Sequence, residues 1–371
     1  MRLTATIVTV LALAACSTPH SQQVRNDARD RFDRANAQVV FDQALQAFHA
    51  GQFEPALQYV DKAIARFPKD GGYQLLRGRI LLEMKRVDLA RECFTKSAEL
   101  APEAAEPHYY LGIVHQRWGE LDQAAAEYAK AASLAPSQLQ YVAAECETLV
   151  AAGKLDEAQA RLDAVAKSFE FSPVLDRVRA DLAGRRGDLC DREHWLAAAR
   201  LRTDASKAGM LAEEIAHNHF EQGHWAACVT ALDDEALASE THRPDLVRMR
   251  ARCLLMLDRA REARDLMLTL RDQVDADGRN ANILGLAALR LGDTTRMSEA
   301  GRVLTQCRPE RCDGWLLLGV AAMERGDAAE AERMLREAAT REPSRELPKR
   351  LLASLQAAQA AHGPVTAQVS N

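Results

Sequence analysis

The sequence is poor in what a β-sheet or a catalytic cleft would need. Only 5% of its 371 residues are aromatic, and nowhere do Val, Ile and Thr cluster as they would in strands. No Walker loop, GxSxG elbow or HExxH pair occurs, and no GxGxxG follows a strand. No cleft-forming α/β core is encoded, so the chain reads as non-enzymatic and without a cofactor or metal. Basic runs and basic-aromatic patches are missing too, which argues against nucleic acid as a partner. Lys and Arg total 48 against 53 Asp and Glu, interspersed, for a formal net charge of −5. That is a solvated mixed-charge surface.

What is present is alanine, leucine and a period. From Ala105 to Gln138, Gly112, Gly119, Ala124, Tyr128, Ala131 and Pro136 stand at fixed offsets. Moving 34 residues towards the N-terminus puts Gly78, Ala90, Phe94 and Pro102 at the offsets of Gly112, Ala124, Tyr128 and Pro136. A further copy opens at Asp313-Gly314-Trp315 and carries Gly319, Gly326, Ala331, Ala338 and Pro343. Within one copy, Tyr109, Leu111, Ile113 and Val114 give a first helix, Gly119 breaks it, and an Ala-rich second helix runs from Leu121 to just before Pro136. Gly112 and Ala124 are small because the two helices approach closely there.

A 34-residue period of this kind resembles the tetratricopeptide repeat. The resemblance covers about Ala37 to Arg345 and implies an all-α solenoid of helix-turn-helix units, wound as a right-handed superhelix. About nine units and a C-terminal capping helix are predicted. Residues 37–172 hold regular units one to four, 173–277 degenerate units five to seven, 278–345 units eight and nine, 346–361 the capping helix and 362–371 a tail. The middle units are degenerate because Arg192 and Cys228 stand where a small residue belongs and unit seven lacks its Gly.

The first residues are read separately. Leu3 to Ala15 is apolar or small, too short to span a bilayer, and ends Leu13-Ala14-Ala15-Cys16. This resembles the bacterial lipobox, which implies that residues 1–15 are a signal peptide and that Cys16 carries a covalent lipid. Ser17 after the Cys resembles the outer-membrane sorting pattern of Gram-negative envelopes. The expectation is a chain anchored in the cell envelope and facing the periplasm. Residues 16–36 are polar and read as a tether, with a helix starting near Asn26 or Asp27.

Seven cysteines remain after Cys16. Cys146 and Cys228 fall at small-residue offsets and read as packing groups. Cys307 and Cys312 flank Pro309, and a disulfide between them is left open. In His217-Asn-His219-Phe-Glu-Gln-Gly-His224, His217 and Glu221 share a helical face while His219 points elsewhere, so no metal set is expected.

The resemblance places a peptide groove on the first helices, at the second, fifth, ninth, twelfth and thirteenth positions of each unit. In units one to three these are Phe41, Leu45 and Phe48, then Leu75, Arg79 and Leu82, then Tyr109, Ile113, Gln116 and Arg117, with His49 nearby. Family members that clamp a C-terminal carboxylate carry Lys and Asn at such places, and units one to three lack that set. Tyr109 is the expected anchor, with Arg79 and Arg117 holding acidic or carbonyl groups. Two alternatives stand: these side chains pack on one another, or the helix before Ala37 fills the groove. Glu127 is expected to be an exposed bystander.

The combination of lipid anchor and repeats resembles envelope assembly lipoproteins that help a pilus or secretion complex form. The alternatives are an adaptor for polysaccharide export or peptidoglycan enzyme control, and an enzyme hidden in the degenerate middle.

Overall fold

The computed structural model describes residues 19–204, 208–233, 243–270 and 276–361. Cys16 and the tail lie outside them. Among the described residues all regular structure is helical, in nineteen α-helices. None of these helices is long and apolar enough to cross a membrane. The chain divides into two compact units, residues 1–187 and 188–371.

The first unit holds α1 (Pro19–His49), α2 (Phe53–Arg66), α3 (Gly71–Glu83), α4 (Val87–Leu100), α5 (Ala105–Arg117), α6 (Leu121–Leu134), α7 (Leu139–Ala151), α8 (Leu155–Val165) and α9 (Pro173–Arg186). Each helix packs on the next, and α3 also touches α1 and α5, as α9 touches α7. That is the stacking of hairpins that cannot bury their apolar faces alone. Tyr73, Ile80, Phe94, Tyr128, Leu162 and Leu175 are fully enclosed. Ala90 and Ala124 are 0% exposed, at the contact their offsets predict. Asp70 and Ser172 cap α3 and α9 by accepting from the amides of Gly72 and Leu175, satisfying donors that a helix start leaves free.

The helix expected to start near Asn26 or Asp27, after a tether, begins earlier, at Pro19. One continuous helix runs from Pro19 into the first hairpin. The side chains of residues 23–32 are exposed, so this stretch does not fill a groove. It continues as helix because no Gly or Pro interrupts it after Pro19, and Pro is tolerated in a first turn.

The second unit holds α10 (Leu189–Leu201), α11 (Ala208–Gln222), α12 (Trp225–Leu232), α13 (Pro244–Met256), α14 (Ala260–Leu268), α15 (Arg279–Leu291), α16 (Thr294–Cys307), α17 (Cys312–Glu324), α18 (Ala328–Arg341) and α19 (Glu346–Ala361). Here too successive helices pair, α13 touches α15, α15 touches α17, and α19 lies on α18. The middle of the chain keeps the hairpin while trimming it. Second helices of 14 residues in α4 and α6 shorten to 8 in α12 and 9 in α14. Cys146 and Cys228 are 0% exposed, so each packs as a large alanine would. Gly319 and Ala331 are buried at the α17–α18 contact, where a Cβ on Gly319 would sit 2.8 Å from Leu335.

Candidate functional site

The expected groove residues of the first unit lie on α1, α3 and α5, and most of them are occupied with one another. The Phe41 ring lies 4.7 Å from Tyr73, and Phe41, Leu45 and Phe48 lean on the core beneath them. Leu75 and Ile113 do the same one hairpin on. Leu82 is a correction. At 6% exposure it belongs to the core with Leu81, Ala90 and Phe94, because the twelfth position of α3 turns inward towards α4.

Arg79 sits between two rings, 5.0 Å from the centroid of Phe48 and 5.6 Å from that of Tyr110. Tyr110 is stacked on Phe94 at 5.1 Å, and its burial raises the phenol pKa although Arg79 opposes the shift. Tyr109 touches Tyr110, Tyr128 and Tyr141 at 5.6, 5.6 and 5.1 Å. Gln116 accepts from the Tyr128 hydroxyl at 2.9 Å. Arg117 and His49 are exposed. The structure therefore brings Arg79, Tyr109 and the aromatic rings into one patch, with Arg117 at the exposed end of α5. Self-packing accounts for Phe41, Leu45, Phe48 and Leu82.

One other expectation changes. Glu127 is no bystander: its carboxylate meets the buried His108 ring at 2.7 Å. His217 and Glu221 lie one turn apart on α11 and take different partners. His217 lies 3.9 Å from Glu213, and Glu221 is taken by Arg192 at 3.2 Å. No disulfide joins Cys307 and Cys312; the Cys312 thiol donates to Glu342 at 2.8 Å.

The second unit contains the better formed site. A cavity of about 500 Å³ opens between α11, α13 and α15. Four guanidinium groups line it, Arg248, Arg252, Arg279 and Arg308, over an apolar floor of Phe220, Met249, Ile283 and Leu286. Asp245 is the one acid in the wall. It is already spoken for by Arg243 at 2.8 Å. Burial alone would raise the Asp245 carboxyl, but the hydrogen bond from Arg243, backbone amide bonds and the Arg243 charge together outweigh it and hold the group below the usual carboxylate range. Arg279 pairs with Asp277 at 2.5 Å. Arg248 donates to the neutral amide oxygen of Asn280 at 3.2 Å, and Arg252 lies 4.9 Å over the Phe220 ring. No carboxylate neutralises Arg248, Arg252 or Arg308 among the described residues.

These residues occupy the register that the N-terminal expectation used. Counting from Pro244 and Gly278, Asp245 and Arg279 are second, Arg248 and Asn282 fifth, Arg252 and Leu286 ninth. The lack of a clamp set holds only for units one to three; in the later units cations and an amide stand at these positions. The sequence signal was available as Arg248 and Arg252 one helical turn apart. It was hidden because unit seven lacks its inter-helix Gly and so breaks the motif.

The family description "Tetratricopeptide repeat" matches residues 41–102 and 75–138. The Hsp70-Hsp90 organizing protein of Triticum aestivum is 30% identical over 141 residues, which is 38% of this chain and 24% of that protein. The chain thus spans about a quarter of that relative's length. Among solved structures, a tetratricopeptide repeat protein from Parabacteroides merdae aligns over 86% of this chain and 98% of its own, at 12% identity and a TM-score of 0.41. PilW, described as a type IV pilus biogenesis factor, aligns over 55% and 98%, at 18% identity and a TM-score of 0.45. Residues 41–138 thus carry tetratricopeptide repeats, and the helical hairpins stacked within each unit are of the same kind.

Proposed function

We propose that this chain is a protein-binding scaffold without catalytic activity, and that its second unit holds an acidic segment of a partner in the arginine cavity. The observation that carries this is three guanidinium groups without a carboxylate around an apolar floor. Unpaired cations kept together in a concave wall repel one another and attract an anion. An Arg–carboxylate bond can be bidentate, which adds orientation to attraction. The floor would take one apolar side chain beside the acidic groups. A photo-crosslinking side chain placed at Leu286 tests this in native cells. The attached partner fragment should be acidic, and the crosslink should fade with Arg252→Glu. Attachment to basic or neutral fragments, or indifference to Arg252→Glu, would overturn it.

The setting we infer is the bacterial envelope, with a lipid on Cys16 as anchor and assembly of a pilus or secretion complex as the role. What supports it is the likeness of Leu13-Ala14-Ala15-Cys16 to a lipobox, followed by a scaffold. One acyl chain anchors only reversibly, at about 0.8 kcal/mol per buried methylene, and the lipobox family carries more than one. The protein should enter the detergent phase on partitioning, and Cys16→Ser should stay aqueous or unprocessed. If wild type and variant partition alike in the aqueous phase, the anchor is wrong. If the crosslinked partners belong to polysaccharide export or peptidoglycan control, the pilus role falls and the scaffold reading survives.

A further inference from the structure

Outside the arginine cavity, the second unit gathers one more set of donor atoms. Glu193 stands on α10, His219 on α11 and His224 in the turn before α12. One donor atom of each lies within 4.8 Å of the other two. His219 Nδ1 is 3.7 Å and His224 Nδ1 4.0 Å from the same oxygen, Glu193 Oε2. His219 is withdrawn from solvent, with 12% of its side chain exposed, and its Nδ1 is buried without a hydrogen-bond partner. A buried polar atom left so is unfavourable, and 3.7 Å is too long for Glu193 to satisfy it directly.

The local sequence builds this convergence. Gly223 takes a left-handed φ of +74°, which ends α11 and turns the chain back. The His224 amide then donates to the His219 carbonyl at 2.8 Å. Residues five apart are thereby brought together, with imidazole centroids 6.1 Å apart. The carboxylate is positioned from behind: Gln222 Nε2 donates both to Glu193 Oε2 at 3.1 Å and to the Leu189 carbonyl at 3.2 Å. Such outer contacts orient a ligating group.

We propose that Glu193, His219 and His224 bind one divalent first-row transition metal of the Zn²⁺ type, with a coordination position left open on the exposed side. Two imidazole nitrogens and a carboxylate oxygen suit that class. Ligands at roughly 2.0–2.2 Å on a tetrahedral centre stand roughly 3.3–3.5 Å from one another, so the two His–Glu gaps of 3.7 and 4.0 Å must tighten, as must the His219–His224 gap, which lies within 4.8 Å. The competing account is an ordinary His–Glu ion pair. Two such pairs in this chain sit at direct hydrogen-bond distance, 2.7 Å for His108–Glu127 and 2.7 Å for His115–Glu120, while the exposed His217 stands 3.9 Å from Glu213 with no third donor group beside it among the described residues. Here two imidazoles converge on one carboxylate oxygen, and one of them has a buried Nδ1 without a hydrogen-bond partner. The other convergent group, Cys312, Asp313 and Glu342, differs because Arg311 and Arg345 already neutralise it. The sequence alone points to no metal, because Glu193 lies on a different helix from the histidines.

The test uses the full chain, stripped with a chelator, then titrated with Zn²⁺ by calorimetry and with Co²⁺ by absorption. We expect one metal per chain and Co²⁺ d–d bands without a thiolate charge-transfer band, since no cysteine is in the set. His224→Ala and Glu193→Gln should each weaken binding at least about tenfold, and Zn²⁺ should raise the melting temperature of wild type more than that of either variant. Those two side chains are 55% and 40% exposed, so both variants should fold, with melting in chelator as the check. His217→Ala, on the same helix but beside Glu213, should bind as wild type does. No metal uptake by wild type, a thiolate band, or undiminished binding by both variants would each overturn the proposal.

Discussion

Gly112 determines how closely one hairpin of the first unit can shut. A Cβ there would lie 2.5 Å from the Tyr128 ring, and Gly78 faces Phe94 in the same way. Both positions were legible in the sequence, because a small residue and an aromatic recur together at the 34-residue offset. Gly112→Ala should lower stability by about 1–3 kcal/mol through overpacking, although alanine favours a helix by about 1 kcal/mol. Urea unfolding measures it, and a variant as stable as wild type would contradict the register. Glu127 shows the opposite case. Its partner His108 is 19 residues away and on the facing helix, a relation no periodicity displays. Glu127→Ala should therefore destabilise by about 1–3 kcal/mol by stranding a buried ring nitrogen. A silent Glu127→Ala in thermal melting would show that the contact is dispensable.

At the level of the helix, boundaries follow caps and left-handed turns more closely than composition. Polarity before Asn26 suggested a tether, yet the helix begins at Pro19, because polarity without Gly or Pro does not stop a helix. Asp293 illustrates a cap with a measurable signature. Its carboxylate accepts from the Arg296 amide at 3.0 Å. That backbone bond, then the Arg296 guanidinium, hold its pKa below the usual carboxylate range. A carboxyl whose pKa falls on folding contributes stability above its unfolded pKa, near 3.9 for Asp, and loses it as pH drops through the folded value. The cap as a whole is worth about 1 kcal/mol. Asp293→Ala should melt below wild type at pH 7, and the gap should narrow as pH falls below about 4. A gap that stays constant to pH 2 would mean that the charge plays no part. The arginine register of α13 and α15 belongs to this scale too. It was masked in the sequence because unit seven keeps Ala251 and Ala263 but not the Gly that marks its neighbours.

For the molecule as a whole, composition and period together gave the all-α repeat architecture, since a helical hairpin of this length leaves an apolar face that only another hairpin can cover. The site was less legible. Apolar first-helix residues in the first unit looked like a surface awaiting a partner, but an aromatic stripe also satisfies itself, as Phe41, Phe48 and Tyr109 do with neighbouring rings. Unpaired charge cannot satisfy itself in that way, so the cavity of Arg248, Arg252 and Arg308 is the more telling surface. The most direct measurement is a fluorescence titration of the full chain with a labelled peptide of Glu and Asp around a central Leu. Wild type should bind it, binding should weaken as salt rises, and Arg248→Glu and Arg252→Glu should each reduce affinity at least about tenfold. Tyr109→Ala should leave it unchanged. Equal binding of a neutral peptide, or full affinity in both charge reversals, would contradict the account.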